Sequence, residues 1–188
     1  MRDQSMLLTQ GPIAKTLFTF ALPLFLGNLF QQMYNTVDSL VVGNFIGSDA
    51  LAAVASSGHM AFLLIGFLQG VFVGAGVIIA RYYGARDAER LRISVHTTAF
   101  FALLGGGLLS VLGVVFSPAI LRLMGTPETV LPNSLTYFRI YFGGLLSVVL
   151  YNCVNGILQA VGDSRHPLYY LIFSSLANVA LDLVFVVV

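Results

Sequence analysis

ISVHTTAFFALLGGGLLSVLGVVFSPAIL, residues 93–121, contains no Asp, Glu, Lys or Arg. Wound as a helix at about 1.5 Å per residue it would reach roughly 43 Å, more than the ~30 Å hydrocarbon core of a bilayer. Leu17–Val37, Ala50–Ala80 and Ile140–Gly162 are equally free of those residues, and His166–Val188 is interrupted only by Asp182. The whole chain is 57% hydrophobic and 9% charged over 188 residues, where soluble domains carry about 25% charge. Spanning strands would need inward polar alternation over about 10 residues, and these runs show none. The composition predicts an all-α polytopic membrane protein with about five transmembrane helices.

The expected spans are about 14–42, 50–83, 93–116, 134–161 and 168–188. Pro23 falls inside the first, where neighbouring helices can satisfy the backbone groups it frees. Residues 43–49 and 117–132 then form loops on one side of the membrane, and 84–90 and 162–167 on the other. Gly66, Gly70 and Gly74 recur at four-residue spacing, a small-residue face suited to close helix approach. Residues 1–10 lead into an apolar run too long for a cleavable signal. The last run reaches Val188 without a polar flank, so the remainder of a longer protein is expected to follow. With an N-in topology, Arg2, Lys15, Arg81, Arg86, Arg90, Arg92 and Arg165 are cytoplasmic, and Arg122 and Arg139 are outside. Seven against two is the bias of a multi-pass cell-membrane protein with a cytoplasmic N-terminus. Cys153 stands alone, so no intrachain disulfide forms, and it reads as a packing residue.

Two acids interrupt this apolar chain, Asp38 and Asp182. A carboxylate at membrane depth costs roughly 3 kcal/mol on insertion scales, and it normally marks an ion or substrate path. Gln31 and Asn35 precede Asp38 by seven and three residues, and Asn178 precedes Asp182 by four. Those spacings put amide and acid on one helical face. Asn152, Asn155 and Gln159 form a similar stripe on the fourth helix, which must face protein or water, because unpaired amides in lipid are costly. Either this stripe forms interhelical hydrogen bonds or it lines a polar cavity. Asp38 and Asp182 should converge there, as a pair suited to exchanging a proton or sharing a monovalent cation. No nucleophilic serine motif, His-Glu-x-x-His, phosphate loop or Cys/His ligand cluster competes, so an enzyme, a resident metal and a cofactor are not expected. No basic run suits nucleic acid.

Asn28-Leu29-Phe30-Gln31-Gln32-Met33-Tyr34-Asn35-Thr36-Val37-Asp38 with Gly47-Ser48-Asp49-Ala50-Leu51-Ala52-Ala53-Val54 resembles the first helix and loop of multidrug and toxic compound extrusion (MATE) transporters. Ala80–Asp87, Leu123–Glu128, Leu158–Pro167 and Asn178–Asp182 continue the likeness in order along nearly the whole chain. One departure is Arg81, where glutamine is expected. The resemblance implies part of an N-terminal six-helix bundle, with a C-terminal bundle missing from this chain. It also implies efflux of organic, often cationic, compounds by proton or sodium antiport. By the same likeness Asp38, Asn178 and Asp182 match the family's cation site, with Tyr137 as the candidate for a contributing tyrosine. The implied partners are the lipid bilayer, small organic substrates and the missing half of the same protein. Two other readings stay open. One is a flippase for lipid-linked or polysaccharide precursors, whose anionic cargo calls for basic cavity residues. The other is a non-transporting membrane scaffold.

Overall fold

The computed structural model describes residues 12–41, 48–182 and 184, with side chains at 12–37, 39–40, 66–181 and 184. Five helices follow one another: α1 Ile13–Val41, α2 Ser48–Gly84, α3 Ala88–Leu123, α4 Leu131–Ala160 and α5 Arg165–Asp182. Among the described residues there is no strand. Without water to satisfy a peptide group, a lipid-embedded chain has to close its hydrogen bonds within the helix. Four of the helices are long and apolar enough to cross a membrane, over Ile13–Val37, Gly66–Gly84, Ala88–Leu123 and Leu131–Ala160. The described part of α5 has 18 residues, roughly 27 Å of helix. The chain is a helical multi-pass membrane protein.

The helix ends follow local chemistry. Asp87 caps α3 by accepting from the Arg90 amide at 3.1 Å, so α3 starts five residues before the expected Ile93. Pro132 stands in the first turn of α4, where a missing N–H is harmless. Asp163 accepts from the amides of Arg165 and His166 at 3.1 and 3.2 Å, which opens α5.

At its other end α3 departs from expectation. The loop predicted from Ser117-Pro118 onward is helical as far as Leu123, and the connection is only Met124–Val130. Pro118 cannot donate to the carbonyl of Val114 four residues earlier. The hydroxyl of Ser117 donates to that same oxygen at 2.8 Å, so the helix passes the proline with its acceptor satisfied.

Packing divides the helices into two layers. In the first, α4 is central. Its buried residues Ser134, Phe138, Phe142, Leu145, Val149 and Cys153 recur every three or four positions, a seam that faces α3 and α2. Gly113 and Gly106 notch α3 against it: a Cβ on Gly113 would lie 1.7 Å from Phe142 Cδ1, and one on Gly106 would lie 3.0 Å from Val149 Cβ. Between the two notches Ser110 Oγ accepts from the Leu146 amide at 3.0 Å. α2 meets α4 at two glycines: a Cβ on Gly156 would lie 3.3 Å from the Phe72 carbonyl oxygen, and one on Gly76 would lie 3.5 Å from the Gly156 carbonyl oxygen and 3.7 Å from Ala160 Cβ, one turn further along α4. α2 and α4 therefore run parallel, with α3 antiparallel between their ends. The second layer is α1 against α5, with Gly27 seated on Leu171 and Leu168.

The anticipated small face of Gly66, Gly70 and Gly74 touches nothing in the described structure. α2 instead packs through Leu68, Phe72, Gly76 and Ile79, which lie on a different side of the helix. Large apolar side chains such as Phe101 and Ile140, 67% and 73% exposed, cover the outside. In a bilayer they face acyl chains, and lipid is as apolar as they are.

Candidate functional site

Between the two layers lies an open cavity of about 720 Å³ whose walls come from α1, α2, α4 and α5. Each helix contributes one stripe. On α1 it is Leu24, Gly27, Asn28, Gln31 and Tyr34; on α4, Tyr141, Val148, Tyr151, Asn152, Asn155 and Gln159; on α5, Leu168, Leu171, Ser174, Ser175 and Asn178. Steps of three and four residues keep each set on one side of its helix. α2 adds Gln69 and Phe72. Among the described lining residues the polar groups are amides, phenols and hydroxyls, and none is Asp, Glu, Lys or Arg.

Several of these groups have little internal satisfaction. Asn152 donates to the Val148 carbonyl of its own helix at 2.8 Å. Asn155 Oδ1, Asn178 Oδ1 and Ser175 Oγ are closed off from solvent and meet no hydrogen-bond partner among the described residues. Two amide oxygens, one on α4 and one on α5, therefore border the same cavity without a donor among the described residues. Such oxygens suit an N–H or O–H donor, or a hard monovalent cation, whose preferred ligands are oxygens.

The expected site residues divide as follows. Gln31, Asn152, Asn155, Gln159 and Asn178 line the cavity together. Asn35 is exposed and outside the lining; its backbone carbonyl accepts from Ser39 Oγ at 2.8 Å. Tyr137 is not a lining residue either, but its ring stacks on Tyr141, one turn along, with centroids 6.3 Å apart and planes at 20°. Asp38 and Asp182 lie in α1 and α5, the two helices of one layer, and their carboxyl groups lie outside the described side chains. Asp38 follows Gln31 by seven residues and Asp182 follows Asn178 by four, the register that continues each lining stripe.

Among the polar lining residues, Asn28, Tyr34, Gln69, Tyr141, Ser147, Ser174 and Ser175 escaped the sequence reading. Asn28 and Tyr34 sit three residues on either side of Gln31, so helical spacing alone could have found them. Gln69 is the lone amide in the apolar run of α2, a signal of the same kind as the acids, though weaker.

A model of the MatE family matches residues 23–184. The chain belongs to that family. The probable multidrug resistance protein YoeA of Bacillus subtilis (strain 168) is 41% identical over 167 residues, covering 89% of this chain and 36% of the relative. The probable multidrug resistance protein YpnP of the same organism is 34% identical over 182 residues, covering 95% of this chain and 40% of the relative. Among solved structures, the outward-facing conformation of a multidrug resistance MATE family transporter of the MOP superfamily superposes with a TM-score of 0.90 at 26% identity, covering 98% of this chain and 41% of that one. This MatE chain thus spans about two fifths of the length of the proteins it matches. Its fold agrees with that of the solved transporter along almost all of its own length.

Proposed function

We propose that this chain is the N-terminal part of a transporter that expels organic, cationic compounds by proton or sodium antiport across the cell membrane, with its N-terminus in the cytoplasm. The observation that carries the reading is the cavity itself, walled by polar groups from four helices and bordered by two amide oxygens, Asn155 Oδ1 and Asn178 Oδ1, that have no partner among the described residues. Amides and phenols can accept from an ammonium group and stack against an aromatic one without holding it irreversibly. Asp38 and Asp182 supply the charge that balances the coupling ion, with Asn178 as a neutral co-ligand. Tyr137 positions Tyr141 through the ring stack. Ion binding and release at the acids then bias the packing of the α1–α5 layer, because only a ligand that distinguishes two states can shift them.

A flippase of anionic precursors would be served by basic groups in the lining, and the described lining has none; Arg139 is exposed and lies outside it. The test uses the full-length protein in cells loaded with a cationic dye. Asp38→Asn and Asp182→Asn should each abolish gradient-driven efflux at normal expression, because an amide keeps the size of the acid but neither exchanges a proton nor balances a cation. Replacing Asp163, in the turn between α4 and α5, should leave most efflux intact. Full efflux from either membrane-acid variant would place the ion path elsewhere.

A further inference from the structure

Three helices of this chain end in the same backbone motif, and one of the three carries an unusual residue. At the end of α3, Gly125 N–H donates to the Arg122 carbonyl at 3.0 Å and Thr126 N–H to that of Leu121 at 3.1 Å, with Gly125 at φ 72°. At the end of α4, Gly162 N–H donates to Gln159 at 3.0 Å and Asp163 N–H to Leu158 at 2.9 Å, with Gly162 at φ 84°. At the end of α2 the same pair of bonds runs from Arg86 to Tyr83 and from Asp87 to Tyr82, both at 3.1 Å, and the residue at φ 55° is Arg86. This is the left-handed helix stop that glycine normally occupies, since any Cβ there crowds the neighbouring carbonyl. Arginine is therefore a poorer choice for the backbone at this position, and what it adds is a guanidinium at the tip of the α2–α3 hairpin.

That guanidinium has company. Arg81, Arg90 and Arg92 flank it, so four of the nine basic residues of the chain fall within residues 81–92. Arg90 is engaged, bridged to Asp87 at 3.4 Å and poised over the Tyr82 ring at 5.9 Å. Arg81, Arg86 and Arg92 are exposed, and none of their side chains has an ion pair or hydrogen bond among the described residues. Arg81 lies about 6 Å along the helix axis from the turn and Arg92 about 7 Å on the other side. The hairpin therefore gathers three free guanidiniums in one shallow band at a helix-pair end, with half-buried Tyr82 and Tyr83 beside them. Tyrosine prefers that level of a bilayer, where headgroups begin. Topology alone requires positive charge on such a turn, but it does not require arginine on a glycine position.

We propose that the α2–α3 hairpin tip is a docking site for an anionic lipid, with Arg81, Arg86 and Arg92 holding the headgroup phosphate. Guanidinium groups suit this ligand because their planar fork matches two phosphate oxygens at once. The test follows the thermal unfolding midpoint of the purified full-length protein in a neutral detergent as dioleoyl phosphatidylglycerol, dioleoyl phosphatidylcholine or inorganic phosphate is added. Phosphatidylglycerol should raise the midpoint by several degrees while the other two leave it in place. In the Arg81→Gln, Arg86→Gln, Arg92→Gln triple variant the rise should fall by more than half, whereas Arg165→Gln, at the neighbouring turn, should keep it. Arg86→Gly gives the sharper reading. It should unfold at a higher temperature than the parent without lipid, since glycine relieves the backbone, and yet respond less to phosphatidylglycerol. Should the triple variant fail to insert, that single variant decides. An undiminished phosphatidylglycerol response in Arg86→Gly or in the triple variant would overturn the proposal. So would a response to inorganic phosphate equal to that of the lipid.

Discussion

An amide oxygen closed off from solvent without a donor destabilises a fold by about 1–3 kcal/mol relative to one that is paired. Asn155 and Asn178 both carry such an oxygen, and both border the cavity. If their task is to meet a ligand, removing one should relieve the fold and harm the activity at the same time. Asn178→Leu is accordingly expected to leave the unfolding midpoint of the full-length protein unchanged or raised, while dye efflux is lost. A fall in the midpoint together with retained efflux would make Asn178 a packing residue. The amides were legible in the sequence because helical spacing reveals a polar stripe wherever the background is apolar. Tyr141 was not, because a tyrosine among Phe138, Tyr137 and Phe142 offers no contrast; only the packing of α4 separates the ring that faces the cavity from the ring that stacks behind it.

Along the helices, glycines that look alike in the sequence do different things. Gly105, Gly106 and Gly107 form a triplet, but only Gly106 abuts α4, while its two neighbours face open space. Gly113, two turns on, sits under the Phe142 ring so closely that a methyl group cannot be added without moving it. Gly113→Ala should therefore destabilise the α3–α4 seam by about 1–3 kcal/mol, the usual penalty for overpacking. Gly107→Ala should be neutral or mildly stabilising, since alanine is the better helix former. Equal melting behaviour of the two variants in detergent would rule out the seam. The sequence flagged Gly66, Gly70 and Gly74 as a close-packing face of α2, and no described residue lies against it, because spacing identifies a smooth face without saying which partner meets it. Pro118 misled in the opposite direction. A proline usually ends a helix, but here the hydroxyl of the preceding Ser117 takes over the missing hydrogen bond.

At the scale of the molecule, the number and order of helices could be read from charge-free runs alone, because the bilayer imposes a length that nothing else in the chain mimics. Their arrangement in two layers could not. In lipid an apolar face and a packing face have the same composition, so no periodic signal tells α1 that its neighbour is α5. Phe72 lies against Gly156, and Gly76, one turn later, against Gly156 and Ala160, so α2 and α4 run parallel. The turns at Ala85–Asp87 and Val161–Ser164 must then share one side of the membrane, and Met124–Val130 must lie on the other. Single cysteines at Arg86, Arg165 and Thr126, each in a Cys153→Ala background, test this with a membrane-impermeant maleimide applied to intact cells. The excess of basic residues on the first two connections predicts that only the Thr126 cysteine is labelled from outside, and that the other two react after the cells are opened. Two failures would mean different things. Arg86 and Arg165 cysteines labelling from opposite sides would contradict the parallel packing of α2 and α4, whereas both labelling from outside would preserve the fold and reverse its orientation.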